Sequence, residues 1–324
     1  MTGTDPKKSK SGEDRAKLRA SAEHAAAAFP ALLVEAERLA ATIIAGDHGR
    51  RHSGAGETFW QFRHFRQGDT PSSVDWRRSA KSENYFVRET EWESAQSVWI
   101  WCDRSISMAY KSDLANENKA QRAAVLSLAL SLLLTRAGER VGDLAHDERA
   151  RSGETALRGL SRSVSAPLVE ETALPVADQR IRRSNIVMIS DFLRPASEIT
   201  DSIRAAADQG AHGHLVQVFD PAEEAWPFEG RILFEGSKVA DNLLTGRAET
   251  LRTKYAARLD AHREEISDSA RRAGWSFAVH HTDAAPQTAL LALYARLAGE
   301  AEMAHAFSQT NTNKPKDDAA GGTD

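Results

Sequence analysis

From residue 97 onward, hydrophobic residues fall into short apolar runs that are separated by longer stretches with helical spacing. The runs predict buried strands and the stretches predict amphipathic helices. The predicted strands are SVWIWC (97–102), RVGDLAH (140–146), SNIVMIS (184–190), HGHLVQVFD (212–220) and GWSFAVHH (274–281), and the predicted helices are 117–137, 196–209, 247–273 and 286–304. This alternation indicates an α/β fold with a doubly wound, mostly parallel sheet between two helical layers, in a Rossmann-like three-layer arrangement.

The pattern also divides the chain into segments. Residues 96–304 form the predicted main domain, and 221–244 is an inserted hairpin punctuated by Gly230 and Gly236. Residues 1–20 and 305–324 are polar and read as flexible tails. Residues 21–95 begin with an Ala/Leu-rich helix and continue as a segment rich in aromatic residues and arginine, which we expect to pack on the main domain with Trp76 in its core.

Aromatic residues beside arginines can also bind single-stranded nucleic acid by stacking in a basic groove. The eight basic and seven acidic side chains of residues 50–95 nearly cancel, however. The segment therefore has too little net charge for an electrostatic footprint on nucleic acid, and we expect no nucleic-acid partner.

Composition narrows the cellular setting. The chain has 324 residues, a formal net charge of −4 and a single cysteine, Cys102, so a disulfide within the chain is impossible. The N-terminus has no apolar signal-peptide core, and the most apolar helical run, 123–134, is too short to span a bilayer. We therefore expect a cytoplasmic protein without a membrane span, and a buried, inert Cys102.

Three predicted strands end in an aspartate, namely Asp103, Asp191 and Asp220. Asp103 begins the sequence D-x-S-x-S, which continues with Ser105 and Ser107. Ligands of open α/β sheets bind at the carboxyl ends of the strands, and hard oxygen donors suit Mg²⁺, Mn²⁺ or Ca²⁺. The predicted metal ligands are Asp103, Ser105, Ser107, Thr155 and Asp191, with Thr155 as the hydroxyl from a second loop and Mg²⁺ as the first choice of ion.

Each of these residues also has an ordinary structural interpretation. Asp103 and its serines are typical of an Asx turn or a helix cap, Asp191 of a cap for helix 196–209, and Thr155 of an N-cap. Asp220 precedes Pro221 and is typical of a turn. A zinc site at His48, His52 and His64 is disfavoured because Gly49 interrupts the spacing and no cysteine is near.

Enzyme motifs are mostly missing from the sequence. It contains neither a G-x-x-x-x-G-K-[ST] phosphate loop nor a G-x-S-x-G nucleophile elbow. The first hypothesis is therefore a binding module without catalysis, in which the metal bridges to a carboxylate of a partner protein. We expect Asp103→Ala to abolish that contact and leave the fold intact. The alternative is a metal-dependent phosphohydrolase that uses Asp103 and Asp191.

The D-x-S-x-S sequence, joined by a distant Thr and Asp, resembles the metal-ion-dependent adhesion site of the von Willebrand factor A fold. Upstream, Gly68-Asp69, Asp75-Trp76 and Ser-Ala-Lys at 79–81 resemble the bacterial family of domain of unknown function 58, and so does VFDPAEEAWPFEG at 218–230. This likeness extends over roughly residues 30–300.

The resemblance implies a role as an adaptor or co-chaperone for a MoxR-type AAA+ ATPase, since members of the family often occur beside such ATPases. The chain departs from the family in one respect that bears on localisation: many members carry two N-terminal transmembrane helices, and this sequence shows none. The position of the threonine ligand, here Thr155, is the other point of departure.

Overall fold

The computed structural model describes residues 34–44, 59–65, 74–81, 84–90, 96–147, 149–236 and 242–312. Its centre is a five-stranded sheet made of β3 (Ser97–Cys102), β4 (Arg140–Asp143), β5 (Asn185–Ser190), β6 (His212–Phe219) and β9 (Ser276–His281). The strands lie in the order β4-β3-β5-β6-β9, and every neighbouring pair is parallel. The predicted parallel α/β fold is confirmed.

Helices cover both faces of this sheet. They are α1 (34–44), α3 (Lys119–Arg136), α4 (Gly153–Val164), α5 (Ala196–Asp208), α7 (Arg252–Arg272) and α8 (Pro286–Thr312). Helix α8 thus continues beyond the end predicted at residue 304. Between β6 and α7 lie the short helix α6 (Pro221–Ala225) and the antiparallel strands β7 (Ile232–Phe234) and β8 (Leu243–Thr245), which form the predicted hairpin.

Two hydrophobic cores result, because successive side chains of a strand point to opposite faces of the sheet. Val98 and Ile100 face a core that includes residues of α1, α3, α4 and α8. Trp99 and Trp101 face a second core, formed with α5 and α7. The apolar run 123–134 lies within α3 and is entirely buried, as its composition predicted. None of the helices in the described ranges has the length and apolarity needed to cross a membrane.

Two glycines of the sheet leave room for tryptophan rings. A Cβ atom placed on Gly142 of β4 would come 2.5 Å from the Trp99 ring, and one on Gly213 of β6 would come 2.0 Å from the Trp275 ring. Both distances are far below any real carbon–carbon contact, so these positions accept only glycine without a shift of the indole.

The segment before the main domain contains β1 (Phe59–His64), α2 (Trp76–Ser79) and β2 (Phe86–Thr90), and β1 pairs with β2 in an antiparallel ladder. Trp76 was expected in the core, and this prediction is wrong: its side chain is 60% exposed. The physical reason is its place at the first position of α2, where Asp75 caps the helix and the indole makes an edge contact with the equally exposed Tyr85.

A buried charged contact fixes the end of β9 to α3. His280 is 5% exposed, and Nη1 of Arg122 donates to its Nε2 at 3.0 Å. Arg122 also donates to the carbonyls of Thr282 and Ala284. Burial and the nearby positive charge of Arg122 lower the pKa of His280 to about 4, so the ring is neutral at physiological pH.

Candidate metal-binding cleft

A cleft of about 790 Å³ opens at the carboxyl ends of β3 and β5. These strands are neighbours, and from them the chain proceeds to opposite sides of the sheet, so they flank the switch point where open α/β sheets bind their ligands. Asp103 directly follows β3 and Asp191 directly follows β5. The parallel pairing of the two strands brings both carboxylates into one cleft, together with Ser105 and Ser107.

Asp103 is held rigidly below the two serines. It is 2% exposed, and its Oδ1 accepts from the backbone N–H of Ser105 at 2.8 Å. Its Oδ2 accepts from the hydroxyl of Ser190 at 2.6 Å. The Oγ atoms of Ser105 and Ser107 lie 3.0 Å apart, and both residues line the cleft. The Asx turn considered from the sequence is thus present, and it directs the two hydroxyls to the same point.

Thr155 does not join this group. It is exposed in the first turn of α4 and does not line the cleft. Arg151, just before α4, pairs with Val141, which in turn pairs with Val98 at the beginning of β3. Helix α4 therefore begins beside the opposite end of the sheet from Asp103, and the assignment of Thr155 as the second-loop hydroxyl is corrected here.

The segment after α4 is the one that reaches the cleft. Val169 donates to the carbonyl of Arg104 at 2.8 Å, and the backbone N–H of Arg104 donates to Oγ1 of Thr172 at 3.0 Å. Glu170 and Glu171 from this segment line the cleft. Thr172 is therefore a hydroxyl residue of the loop after α4 that contacts the D-x-S-x-S turn directly, and the sequence reasoning missed it because no strand or motif marks its position.

Asp191 is paired with a lysine that the sequence reasoning also missed. Lys119 is fully buried, and its Nζ lies 3.0 Å from Oδ2 of Asp191 and 2.7 Å from Oε1 of Glu223. Burial by itself lowers the pKa of Lys119, but the two carboxylates together outweigh it, so the pKa is raised and the amine stays charged. The rings of Tyr110 and Phe219 each lie 5.8 Å from the ammonium group.

A signal for this lysine exists in the sequence. Lys119 is the first residue of α3, where the helix dipole disfavours a positive charge. Glu223 was equally recognisable as the third residue after Asp220, because the two form a capping box around Pro221. Asp220 is accordingly the N-cap of α6, and its Oδ2 also accepts from the backbone N–H of Ser112 at 2.8 Å.

The rim of the cleft is acidic. Among the residues that the structure describes, Glu170, Glu171 and Glu235 line it beside the buried carboxylates, and the basic lining residues are Lys119 and Arg194. Arg194 lies within 4 Å of two carboxylates, those of Glu171 and Glu198. The described lining therefore carries more acidic than basic side chains, which favours a cation.

The donor set fits a small divalent ion. Two neighbouring ligands of octahedral Mg²⁺, each about 2.1 Å from the ion, lie about 3.0 Å apart. The hydroxyls of Ser105 and Ser107 form a hydrogen bond of 3.0 Å with each other, and an ion that replaced this bond would find the two oxygens at the same spacing. Within the described ranges, no three His, Cys, Asp or Glu side chains are grouped so that they could hold a metal, so an ion here would depend on hydroxyl groups and water. His48 and His52 lie outside the described residues.

Comparison with known proteins places the chain in a family. The family model described as protein of unknown function DUF58 matches residues 61–265, more than half of the chain. The chain belongs to the DUF58 family. Among curated proteins, this DUF58 chain is 25% identical over 248 residues to the uncharacterized protein Rv1480 of Mycobacterium tuberculosis, and the match spans 72% of this chain and 77% of the relative. The uncharacterized protein Mb1516 of Mycobacterium bovis matches to the same extent.

Among solved structures, the DUF58 chain is similar to the conserved hypothetical protein BatB of Bacteroides thetaiotaomicron, with 15% identity and a TM-score of 0.39 over 63% of this chain and 100% of that one. It is also similar to an aerotolerance-related membrane protein of Bacteroides fragilis, with 14% identity and a TM-score of 0.37 over 62% of this chain and 100% of that one.

Proposed function

We propose that this DUF58 protein is a non-catalytic interaction module whose cleft holds a divalent cation, and that the cation binds a carboxylate of a partner protein. Mg²⁺ is the preferred ion, with Mn²⁺ and Ca²⁺ as alternatives. The observation that carries the proposal is that the hydrogen-bonded hydroxyls of Ser105 and Ser107 line one cleft together with the buried carboxylates of Asp103 and Asp191. Asp103 and Asp191 supply the charge that retains the ion.

The charge of the cleft would make partner binding depend strictly on the ion. Glu170, Glu171 and Glu235 on the rim repel an acidic side chain as long as no cation is bound. A divalent ion held mainly by neutral hydroxyls keeps enough positive charge to attract one more carboxylate. An adaptor with such a cleft would capture its partner only in the cation-bound state. We propose a MoxR-type AAA+ ATPase, or a client of it, as that partner.

The two carboxylates can contribute charge to an ion site, but they are poorly placed to act as a general base. Both oxygens of Asp103 already accept hydrogen bonds, and Oδ2 of Asp191 is paired with Lys119. A general base needs a carboxylate that is free to take a proton from a nucleophile. This argument favours the interaction module over the phosphohydrolase that uses Asp103 and Asp191.

Titration calorimetry with MnCl₂ and MgCl₂ tests the metal site. The full chain should bind one divalent ion, and the double variant Ser105→Ala/Ser107→Ala should lose at least about tenfold in affinity because two inner ligands are gone. Ser197→Ala is the matched control, since Ser197 is an exposed serine in the first turn of α5 that does not line the cleft. Equal affinity of the double variant and the control would overturn the proposed site.

Co-purification tests the partner. A tagged chain should retain a MoxR-type AAA+ ATPase of the same genome in Mg²⁺ buffer and release it when a chelator is added. Equal recovery under both conditions would contradict an ion-bridged contact. A phosphatase assay with Mg²⁺ or Mn²⁺ addresses the alternative, because turnover that disappears in Asp103→Asn would establish an enzyme instead.

A further inference from the structure

Lys119 occupies a position that is unfavourable for a lysine in three respects. Its side chain is fully buried, which penalises the charge. It begins α3, where the helix dipole repels a cation. Finally, it lies in a cleft whose serine hydroxyls and carboxylates suit a divalent ion. A buried charge in such a place requires a compensating interaction, and in this protein two carboxylates supply it.

These two carboxylates belong to separate parts of the fold. Asp191 follows the central strand β5 and faces the cleft, whereas Glu223 belongs to α6, which leads into the hairpin. The ammonium group bridges them, at 3.0 Å from Oδ2 of Asp191 and 2.7 Å from Oε1 of Glu223. The lysine is thus a cation already bound to Asp191, one of the predicted metal ligands.

We propose that the ammonium group of Lys119 competes with the divalent ion for Asp191 and thereby limits the affinity of the cleft for metal. The proposal rests on the proposed function, because it concerns the same cleft. When the ion binds, Lys119 gives up its contact with Asp191 and keeps the one with Glu223. The free protein then holds the ion weakly, and the carboxylate of a partner supplies the missing part of the binding energy.

Removal of the lysine should strengthen metal binding. Lys119→Met should bind Mn²⁺ at least about tenfold more tightly than the unmodified chain in titration calorimetry, because a positive charge next to Asp191 is gone. Lys111→Met is the matched control, since Lys111 is exposed and does not line the cleft. The Mn²⁺ affinity of Lys111→Met should stay within about twofold of that of the unmodified chain. No gain in Lys119→Met would overturn the competition.

A double-mutant cycle separates competition at Asp191 from a general effect of charge. In the Asp191→Asn background, the carboxylate for which the lysine and the ion compete is gone. The gain in Mn²⁺ affinity from Lys119→Met should therefore fall to about threefold or less. The same gain in both backgrounds would contradict direct competition and leave only long-range electrostatics.

Circular dichroism shows whether Lys119→Met folds. If it does not, a second variant, Glu223→Gln, tests the competition. In Glu223→Gln the lysine is left with Asp191 as its charged partner, so Mn²⁺ binding should weaken by about threefold or more. Unchanged or tighter binding would contradict the proposal.

The outcomes also distinguish this inference from the proposed function. If the unmodified chain binds Mn²⁺ through Ser105 and Ser107 but Lys119→Met binds no more tightly, the metal site stands and the competition fails. If only Lys119→Met binds Mn²⁺, the competition stands and the prediction that the unmodified chain binds an ion without its partner fails. If neither protein binds Mn²⁺, both proposals fail.

Discussion

Asp103→Ala should destabilise the protein as well as abolish ion binding. From the sequence, this substitution was expected to leave the fold intact, but the structure gives Asp103 a second role. Its carboxylate is 2% exposed and accepts from the Ser105 N–H and the Ser190 hydroxyl, and it thereby ties the turn after β3 to the end of β5.

The size of the effect follows from these two hydrogen bonds. Each is a bond to a charged acceptor, and removal of the acceptor leaves a buried donor unsatisfied at a cost of about 1.5–3 kcal/mol. For the pair this gives about 4 kcal/mol, which lowers the melting temperature by on the order of 10 °C in a domain of this size. Since single domains are stable by about 5–15 kcal/mol, most of the variant remains folded at 25 °C.

Asp103→Asn should lose less stability, because its side-chain oxygen still accepts from Ser105 while its amide faces the Ser190 hydroxyl. We expect this substitution to lower the free energy of unfolding by about 1–2 kcal/mol. Guanidinium unfolding followed by circular dichroism measures all of these differences. Asp113→Ala is the matched control, since Asp113 is an exposed aspartate in the loop that follows. If Asp103→Ala had the same unfolding midpoint as Asp113→Ala, the reasoning would be refuted.

Two further predictions concern the remainder of the fold. Because the folded-state pKa of His280, about 4, lies below that of a free imidazole, its contribution to stability is present above about pH 6.5 and is lost as pH falls toward 4. Between about pH 8 and pH 4.5, the free energy of unfolding should fall by about 2.5 kcal/mol more in the unmodified chain than in His280→Gln, as measured by unfolding titrations at each pH. Equal decreases in the two proteins would exclude the buried neutral ring beside Arg122. Gly213→Ala should cost about 3 kcal/mol in guanidinium unfolding because its Cβ would lie 2.0 Å from the Trp275 ring. Gly246→Ala, with nothing within 4 Å of the new Cβ, should change stability little, and similar midpoints for the two variants would contradict the close packing.

Short-range patterns were sufficient for the main elements of the fold. The apolar runs at 97–102 and 184–190 predicted β3 and β5, because a strand buried on both faces needs a continuous run of large apolar residues. The position of Asp103 and Asp191 at the ends of these strands also followed, since parallel neighbours present their carboxyl ends at one edge of the sheet.

Long-range geometry decided the rest of the cleft. Thr155 is the hydroxyl that the sequence offers as a ligand from a second loop, but the pairing of Arg151 with Val141 places the start of α4 toward the other end of the sheet. The balanced charge of residues 50–95 favoured packing over nucleic-acid stacking for Trp76, yet its side chain is 60% exposed. Neither error is visible in a local pattern, because hydrophobicity says that a residue can be buried but not what will cover it.

The sequence by itself therefore determined the α/β fold, the two strand-end aspartates and the paired serines, all of which depend on residues close together in the chain. Only the tertiary structure decided that Lys119 lies between Asp191 and Glu223, which are 72 and 104 residues away along the chain. The physical reason is that a buried ammonium group is stable only beside carboxylates that the fold brings to it, and such partners have no fixed spacing in sequence.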